Sequence, residues 1–430
     1  MLSQLKVKSE FRHNVLTLMT GTTIAQSIPI AISPILTRIY TPDDFGIFAL
    51  YTSIVAVVSI IATGKYELAI MLPKKDDDAV NVLFLSVAIG FVVSLFVLLV
   101  VTVCNTQIAT ILGNPKIGNW LYFTPVSIFM TSIYQSLSYW SNRKKKYRRL
   151  ATSRIIQSGT TSITNLGMGY GGLTSNGLIT GLVIGQCVST SVMGKQILSE
   201  DSGLYKSINK LKILAVGRKY KHFPKETIVS SLFNSLYNNG KFIIFSFFML
   251  PSTIGQLYLT FRVLVIPVSI ISTSIADVLF EKTAYWRNNA LTKLEVYNKL
   301  RYVLLVLMAI SIIPSILLGF YGQEIICFLF DEKWQQAGKF ASILALSLFF
   351  QFSISPFCRV FYVYRLNRLY LFWEISRFFI VYTPVVILGM FGYSGESIVF
   401  IMTFTISLSY IILLIILRRN LISSTNSVFP

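Results

Sequence analysis

The sequence predicts an all-α polytopic membrane protein, with twelve transmembrane helices in two parallel-repeat six-helix lobes around a central cavity. Three observations lead there. Of 430 residues 53% are hydrophobic and 13% charged, about half the roughly 25% charge of soluble domains. The apolar residues gather in runs of about twenty, the helix length that crosses a hydrocarbon core of roughly 30 Å. The basic residues, finally, sort by loop.

The runs fall near residues 15–38, 45–63, 80–103, 118–140, 150–170, 174–196, 226–249, 253–278, 301–320, 338–361, 369–391 and 395–417. Most connections between them are too short to form a domain of about 50 residues, so the activity is expected within the membrane. Residues 1–14 are polar, and the first apolar stretch is a full span without a small-residue cleavage site. That helix is expected to act as its own insertion signal.

Threading the chain from a cytoplasmic N-terminus places 31 of the 38 Lys and Arg residues on the cytoplasmic side. The opposite side receives four, Arg38, Lys116, Lys333 and Lys339, while Lys241, Arg262 and Arg377 fall inside spans. This is the positive-inside pattern for an even number of helices with both termini cytoplasmic. The net charge of +20 therefore calls for no nucleic acid. Its densest run, Arg143 to Arg149, lies between two spans and reads as an orientation anchor on anionic membrane lipids. Cys104, Cys187, Cys327 and Cys358 have no zinc-like spacing. Cys104 and Cys327 could both lie near the outer face, with apolar packing favoured over a disulfide. His13 and His222 stand beside span ends without a metal or acid–base partner, so no cofactor, metal or catalytic residue is assigned.

Divided near residue 215, the chain gives two six-helix halves, drawn as lobes 1–200 and 226–430 with a basic cytoplasmic linker at 201–225. Pro42, Gly46 and Leu50 recur as Pro251, Gly255 and Leu259, each offset by 209, and Val58-Ser59-Ile60-Ile61 recurs as Val268-Ser269-Ile270-Ile271. Such punctuation is common in turns, but its recurrence at corresponding hairpins indicates duplication. Six helices per half make the copies parallel, the arrangement of carriers that rock about a central site.

A charge at bilayer depth costs about 2.5–3.5 kcal/mol on insertion scales and needs a partner or a wet cavity. Lys241 shares a face with Asn234 and Asn238, and neither it nor Arg262 has an acid within four positions. Arg38 closes span one, whose Thr20, Thr23, Ser27, Pro34 and Thr37 repeat at helical intervals, and has Asp43 and Asp44 nearby. Arg377 has Glu374 one turn away, a local pair. Arg38, Asn234, Asn238, Lys241, Arg262 and Arg377 are the candidate substrate-binding residues. A cationic chamber suits an anion, and the guanidinium fork suits phosphate.

The hairpin from Thr37 to Gly46, the stretch Tyr66-Glu67-Leu68-Ala69-Ile70 with Leu72-Pro73-Lys74, the basic loop Asn142 to Arg154, Gly255-Gln256-Leu257-Tyr258 through Arg262-Val263-Leu264, and Trp334 with Ala337-Gly338 resemble bacterial polysaccharide flippases. The chain as a whole is similar to the Wzx-type O-antigen or capsule repeat-unit flippases, in the polysaccharide transport branch of the multidrug/oligosaccharidyl-lipid/polysaccharide exporter superfamily. The resemblance implies a two-lobed inner-membrane carrier that moves undecaprenyl-diphosphate-linked oligosaccharide to the outer leaflet by alternating access. It also implies a cationic cavity, with Arg38, Lys241 and Arg262 in comparable stretches, and a polysaccharide polymerase and chain-length regulator as partners. The alternatives are a membrane glycan polymerase or transferase and a small-molecule exporter of the same superfamily. The first is disfavoured by the short outer segment Tyr321 to Ala337; Asp76-Asp77-Asp78, a D-x-D spacing that in a sugar transferase would hold a metal and a nucleotide diphosphate, reads here as a solvated hinge. The second is disfavoured by the basic rather than acidic cavity candidates.

Overall fold

The computed structural model describes residues 2–201, 203, 207–289 and 292–422, and their side chains except those of 2–16, 174–176, 226 and 293. His13 and the basic N-terminal arm lie outside the described side chains. Among the described residues there is no strand. The helices are α1 (Leu2–Ile39), α2 (Pro42–Ala62), α3 (Tyr66–Ala69), α4 (Asp76–Ile111), α5 (Gly118–Leu121), α6 (Thr124–Arg143), α7 (Tyr147–Tyr170), α8 (Thr174–Glu200) and α9 (Lys210–Lys219). There follow α10 (Ile228–Asn238), α11 (Lys241–Ser246), α12 (Pro251–Thr260), α13 (Ile266–Asn288), α14 (Lys293–Phe330), α15 (Gln335–Ile354), α16 (Val360–Val363), α17 (Asn367–Met390) and α18 (Gly395–Ile422).

All twelve sequence-predicted spans fall on helices. Spans four, seven, eight and ten are each assembled from two helices, α5 with α6, α10 with α11, α12 with α13 and α15 with α16. Among the described residues, eight helical stretches are long and apolar enough to cross a membrane by length and composition. Spans one, four, five and seven are missing from that set. Span seven is broken into helices of 11 and 6 residues, and the other three are rich in Ser and Thr, which lowers their hydropathy. A helix packed among others needs an apolar face only toward lipid.

Contacts group the chain into two compact units, Met1–Gly255 and Gln256–Pro430. The division falls after the linker drawn from the repeat, because α10 and α11 pack on α2. The linker itself is partly structured. Its helix α9 is capped by Asn209, whose side chain accepts from Leu211 N, and packs on α4.

In the first unit the hairpin between α1 and α2 is shaped by a capping box. Thr41 accepts from Asp44 N, and the Asp44 carboxylate accepts from Thr41 N at 2.9 Å and from Thr41 Oγ1 at 2.7 Å, with Pro42 fitting the first turn. Gly46 then meets the Pro251 carbonyl, and Gly255 meets the Pro42 carbonyl, so closely that a Cβ on either glycine would overlap that oxygen. The two hairpin motifs offset by 209 residues thus contact each other reciprocally, as self-complementary surfaces do about a two-fold axis. A stripe of Gly177, Gly181 and Gly185 lets α8 approach Tyr40, Asn165 and Thr161, the close small-residue packing that substitutes for the hydrophobic effect in lipid. Tyr40 donates to Asn165 O at 2.6 Å.

Where the basic loops converge, the first unit is held by charge. Asp76 sits in the first turn of α4, not in a loop, and its carboxylate meets Arg143 at 2.9 Å and Lys144 at 2.6 Å. Glu200 meets Arg149 at 2.7 Å and Lys146 at 3.1 Å, and Trp140 Nε1 donates to Asp201 at 2.9 Å. Much of the 143–149 run is therefore neutralised by protein carboxylates rather than left to lipid headgroups. Lys144 above all, with Arg143, holds the Asp76 carboxyl below its ordinary range, and Lys146 with Arg149 does the same for Glu200.

In the second unit Leu300, Phe357, Phe361, Trp373, Tyr410 and Leu413 anchor an apolar core. The buried Gln256 clamps the turn before α15, donating to Lys333 O at 2.7 Å and accepting from Ala337 N at 2.9 Å, while Thr260 donates to Ala337 O at 3.0 Å. Trp334 in that turn is fully buried. Each half carries a 3₁₀ turn after its third span, Pro115–Ile117 and Glu332–Trp334.

Candidate functional site

Span seven is interrupted at Asn239-Gly240, between α10 and α11. Asn and Gly are poor helix formers, the first because its amide competes with backbone hydrogen bonds and the second for entropy. The predicted face survives the break. Asn234 and Asn238 are both exposed, and Asn238 Nδ2 donates to Asn234 O at 2.9 Å and to its Oδ1 at 3.1 Å. Lys241 follows, half-buried, with its ammonium 5.4 Å from the Phe242 ring centroid. An exposed ladder of amides beside an ammonium is costly against acyl chains, where nothing solvates it.

The stripe predicted on α1 is exposed at Thr20, Thr23 and Ser27, and Gln26, not singled out from the sequence, is exposed beside them. Thr37 is buried, its hydroxyl donating to Pro34 O at 3.0 Å. Arg38 is exposed at the end of the helix, and the neighbouring Asp44 carboxylate is taken up by its own helix cap.

Arg262 lies in a π-helical turn, Phe261–Val265, that joins α12 to α13. Pro267 explains the wider turn: it has no N–H for the carbonyl four residues back, and its ring crowds that carbonyl. Such turns are frequent at functional sites. Arg262 is 8% exposed, and its guanidinium donates to the Tyr258 hydroxyl one turn earlier. Tyr258 was missed among the site candidates, although it stands four residues before Arg262, one helical turn away.

Arg377 is placed differently. Its guanidinium lies 4.5 Å from the Tyr410 ring centroid and 5.0 Å from that of Trp373, and donates to the Tyr410 hydroxyl at 2.9 Å. It is half-buried against the aromatic core of the second unit. Among the described residues no cluster of His, Cys, Asp and Glu could hold a metal ion, and the four cysteines are free thiols.

A family model described as polysaccharide biosynthesis protein matches residues 35–339, most of the chain. The chain belongs to that family. No curated protein matches this polysaccharide biosynthesis protein in sequence. Among solved structures it is similar to an inward-facing multidrug resistance transporter of the MATE family and MOP superfamily, at a TM-score of 0.74 and 10% identity, covering 95% of this chain and 96% of the other. It is also similar to the lipid II flippase MurJ in an inward closed conformation, at 0.70 and 15% identity, covering 94% and 87%. A MOP-superfamily transporter from Pyrococcus furiosus matches at 0.55 and 11% identity over 96% of both chains. At such identities the likeness is one of fold. The family member is a multi-pass membrane protein with the twelve-helix fold of these transporters and flippases.

Proposed function

We propose that this protein is a flippase that carries an undecaprenyl-diphosphate-linked oligosaccharide from the cytoplasmic to the outer leaflet of a bacterial inner membrane by alternating access, for O-antigen or another surface polysaccharide. Both termini are cytoplasmic in this reading. The segments 1–200 and 226–430 act as duplicated lobes joined through 201–225, and a polymerase and chain-length regulator receive the product. The observation that carries it is the pair of exposed amides, Asn234 and Asn238, followed by the half-buried Lys241 inside span seven, a polar face in a segment that crosses the hydrocarbon. The π-helical turn holding Arg262 and the exposed end of α1 at Arg38 add cations suited to the diphosphate. In this reading Arg377, half-buried with its guanidinium against Trp373 and Tyr410, has the lesser share in binding. The membrane potential favours the direction, releasing about 2.3 kcal/mol per negative charge per 100 mV on exit from a negative interior.

Proteoliposomes containing the purified full chain and a fluorescent undecaprenyl-diphosphate oligosaccharide test the reading. Fluorophore that becomes accessible to a membrane-impermeant quencher only in protein-containing vesicles is expected. Elongation of the oligosaccharide without translocation would make the protein a polymerase or transferase. Transport of a cationic drug with no movement of the lipid-linked sugar would make it a small-molecule exporter.

A further inference from the structure

The second unit contains a slot between α14 and α18 that the proposed transport does not use. Its volume is about 280 Å³, several times the roughly 30 Å³ share of one water. Leu300, Leu304, Leu414, Ile415, Leu417 and Leu421 supply most of an apolar wall, with the aromatic Phe357 and Tyr297 also lining it. Arg301 and Arg418 are its charged members; no carboxylate lines it. Both arginines are exposed, and neither forms an ion pair among the described residues.

Their positions give the slot a depth. Arg301 opens the apolar run of span nine and Arg418 directly follows that of span twelve, so both guanidiniums stand at the same edge of the hydrocarbon. Helix α14 has 38 residues, about 57 Å at 1.5 Å per residue, and its first turns extend past that edge. The same end of the unit carries Lys282, Arg287, Lys299 and Arg419. A water-soluble anion would be met by the arginines but would leave the aliphatic wall uncovered. An uncharged lipid would cover the wall and leave two guanidiniums without an anion. A lipid with a phosphate head and an acyl tail satisfies both, with the planar forks on phosphate oxygens and the chain along the leucines.

We propose that the α14–α18 slot is a binding site for an anionic glycerophospholipid of the leaflet facing the basic loops, with its phosphate held by Arg301 and Arg418 and one acyl chain lying along Leu304, Leu414 and Ile415. Basic pockets between helices on this side are a chemically sensible place for anionic headgroups. The bound lipid would fill the seam between α14 and α18 of the second unit.

Native mass spectrometry of the detergent-solubilised full chain, titrated with dioleoyl phosphatidylglycerol and with dioleoyl phosphatidylcholine, tests this. The wild type is expected to retain phosphatidylglycerol preferentially. R301Q/R418Q should weaken that retention about thirtyfold, the effect of two basic side chains near an anionic surface, and weaken that of phosphatidylcholine, whose choline offsets its phosphate charge, less. Ile415→Trp, at an exposed position, keeps both charges and fills the slot. It should lower retention as well, with thermal unfolding as the control for an intact fold. Equal retention of phosphatidylglycerol by wild type and both variants would overturn the proposal. So would displacement of phosphatidylglycerol by undecaprenyl phosphate at stoichiometric amounts, since the slot would then serve the polyprenyl lipid. None of these outcomes depends on whether the protein flips an oligosaccharide.

Discussion

Arg377 and Lys241 are both cations within spans. Around Arg377 the chain places the rings of Trp373 and Tyr410 and a phenolic acceptor, so the guanidinium is packed against the aromatic core. Around Lys241 it places Phe242 and, one and two turns back, exposed amides that bond to each other. Charge in a span is therefore not by itself a mark of ligand binding. The mark is charge on a face that the fold leaves polar and open.

The largest effect expected from this contrast is on transport. K241A and R262A should each lower translocation about tenfold to hundredfold, the effect of a charge-assisted hydrogen bond worth about 1.5–3 kcal/mol. Thermal unfolding in detergent should be unchanged for K241A, while R262A should also lose about 1–3 kcal/mol of stability, because its buried guanidinium holds the Tyr258 hydroxyl. Arg262→Lys should recover part of the rate if charge suffices, and little if the fork is needed. R377A should do the opposite, losing about 1–3 kcal/mol of stability through its ring contacts and hydrogen bond while transport per folded molecule stays near wild type. If R377A stops transport in a fully stable protein, the contrast fails.

A comparable loss of stability is expected at the paired hairpins. Gly46→Ala and Gly255→Ala each force a Cβ onto a proline carbonyl and should destabilise by about 1–3 kcal/mol, the usual cost of overpacking. Gly159→Ala, with nothing within 4 Å of the new Cβ, should be neutral or slightly stabilising by helix propensity. Unfolding midpoints of the three variants decide it.

The smallest effect concerns pH. Asp76 has its carboxyl pKa lowered by Lys144 and Arg143. Its contribution is thus fully present above the ordinary carboxylate value near 4 and is lost as the pH falls through the lower folded value. Asp76→Asn should remove that acid sensitivity and cost under about 1 kcal/mol at neutral pH, because the pair is part-exposed. Half-molar salt should shrink the difference between wild type and variant.

The spans were legible because about twenty apolar residues in a row have few other uses. Their ends were less so. Helices α13 and α14 run on to Asn288 and from Lys293, past the apolar runs, because a helix need not stop where the hydrocarbon does. The hairpin motifs and the Asn234–Asn238–Lys241 face were readable from spacing alone. The Gln256 clamp and the Asp76 network were not: their partners lie 77 and 81 residues away, and 67 and 68 residues away, and no local pattern encodes such contacts. Gly177, Gly181 and Gly185 carried a signal that went unused, since small residues every fourth position mark a close helix approach. Pro267 likewise announced the irregular turn around Arg262.

The account rests on the polar face of span seven opening onto water that the substrate enters. In a variant with the four native cysteines replaced, Asn238→Cys should react quickly with a membrane-impermeant maleimide, and the undecaprenyl-diphosphate oligosaccharide should protect it. Phe372→Cys, at an exposed apolar position of α17, should stay unreactive. If Asn238→Cys is as inert as Phe372→Cys, or reacts equally fast with and without the lipid-linked sugar, that face does not line a substrate path.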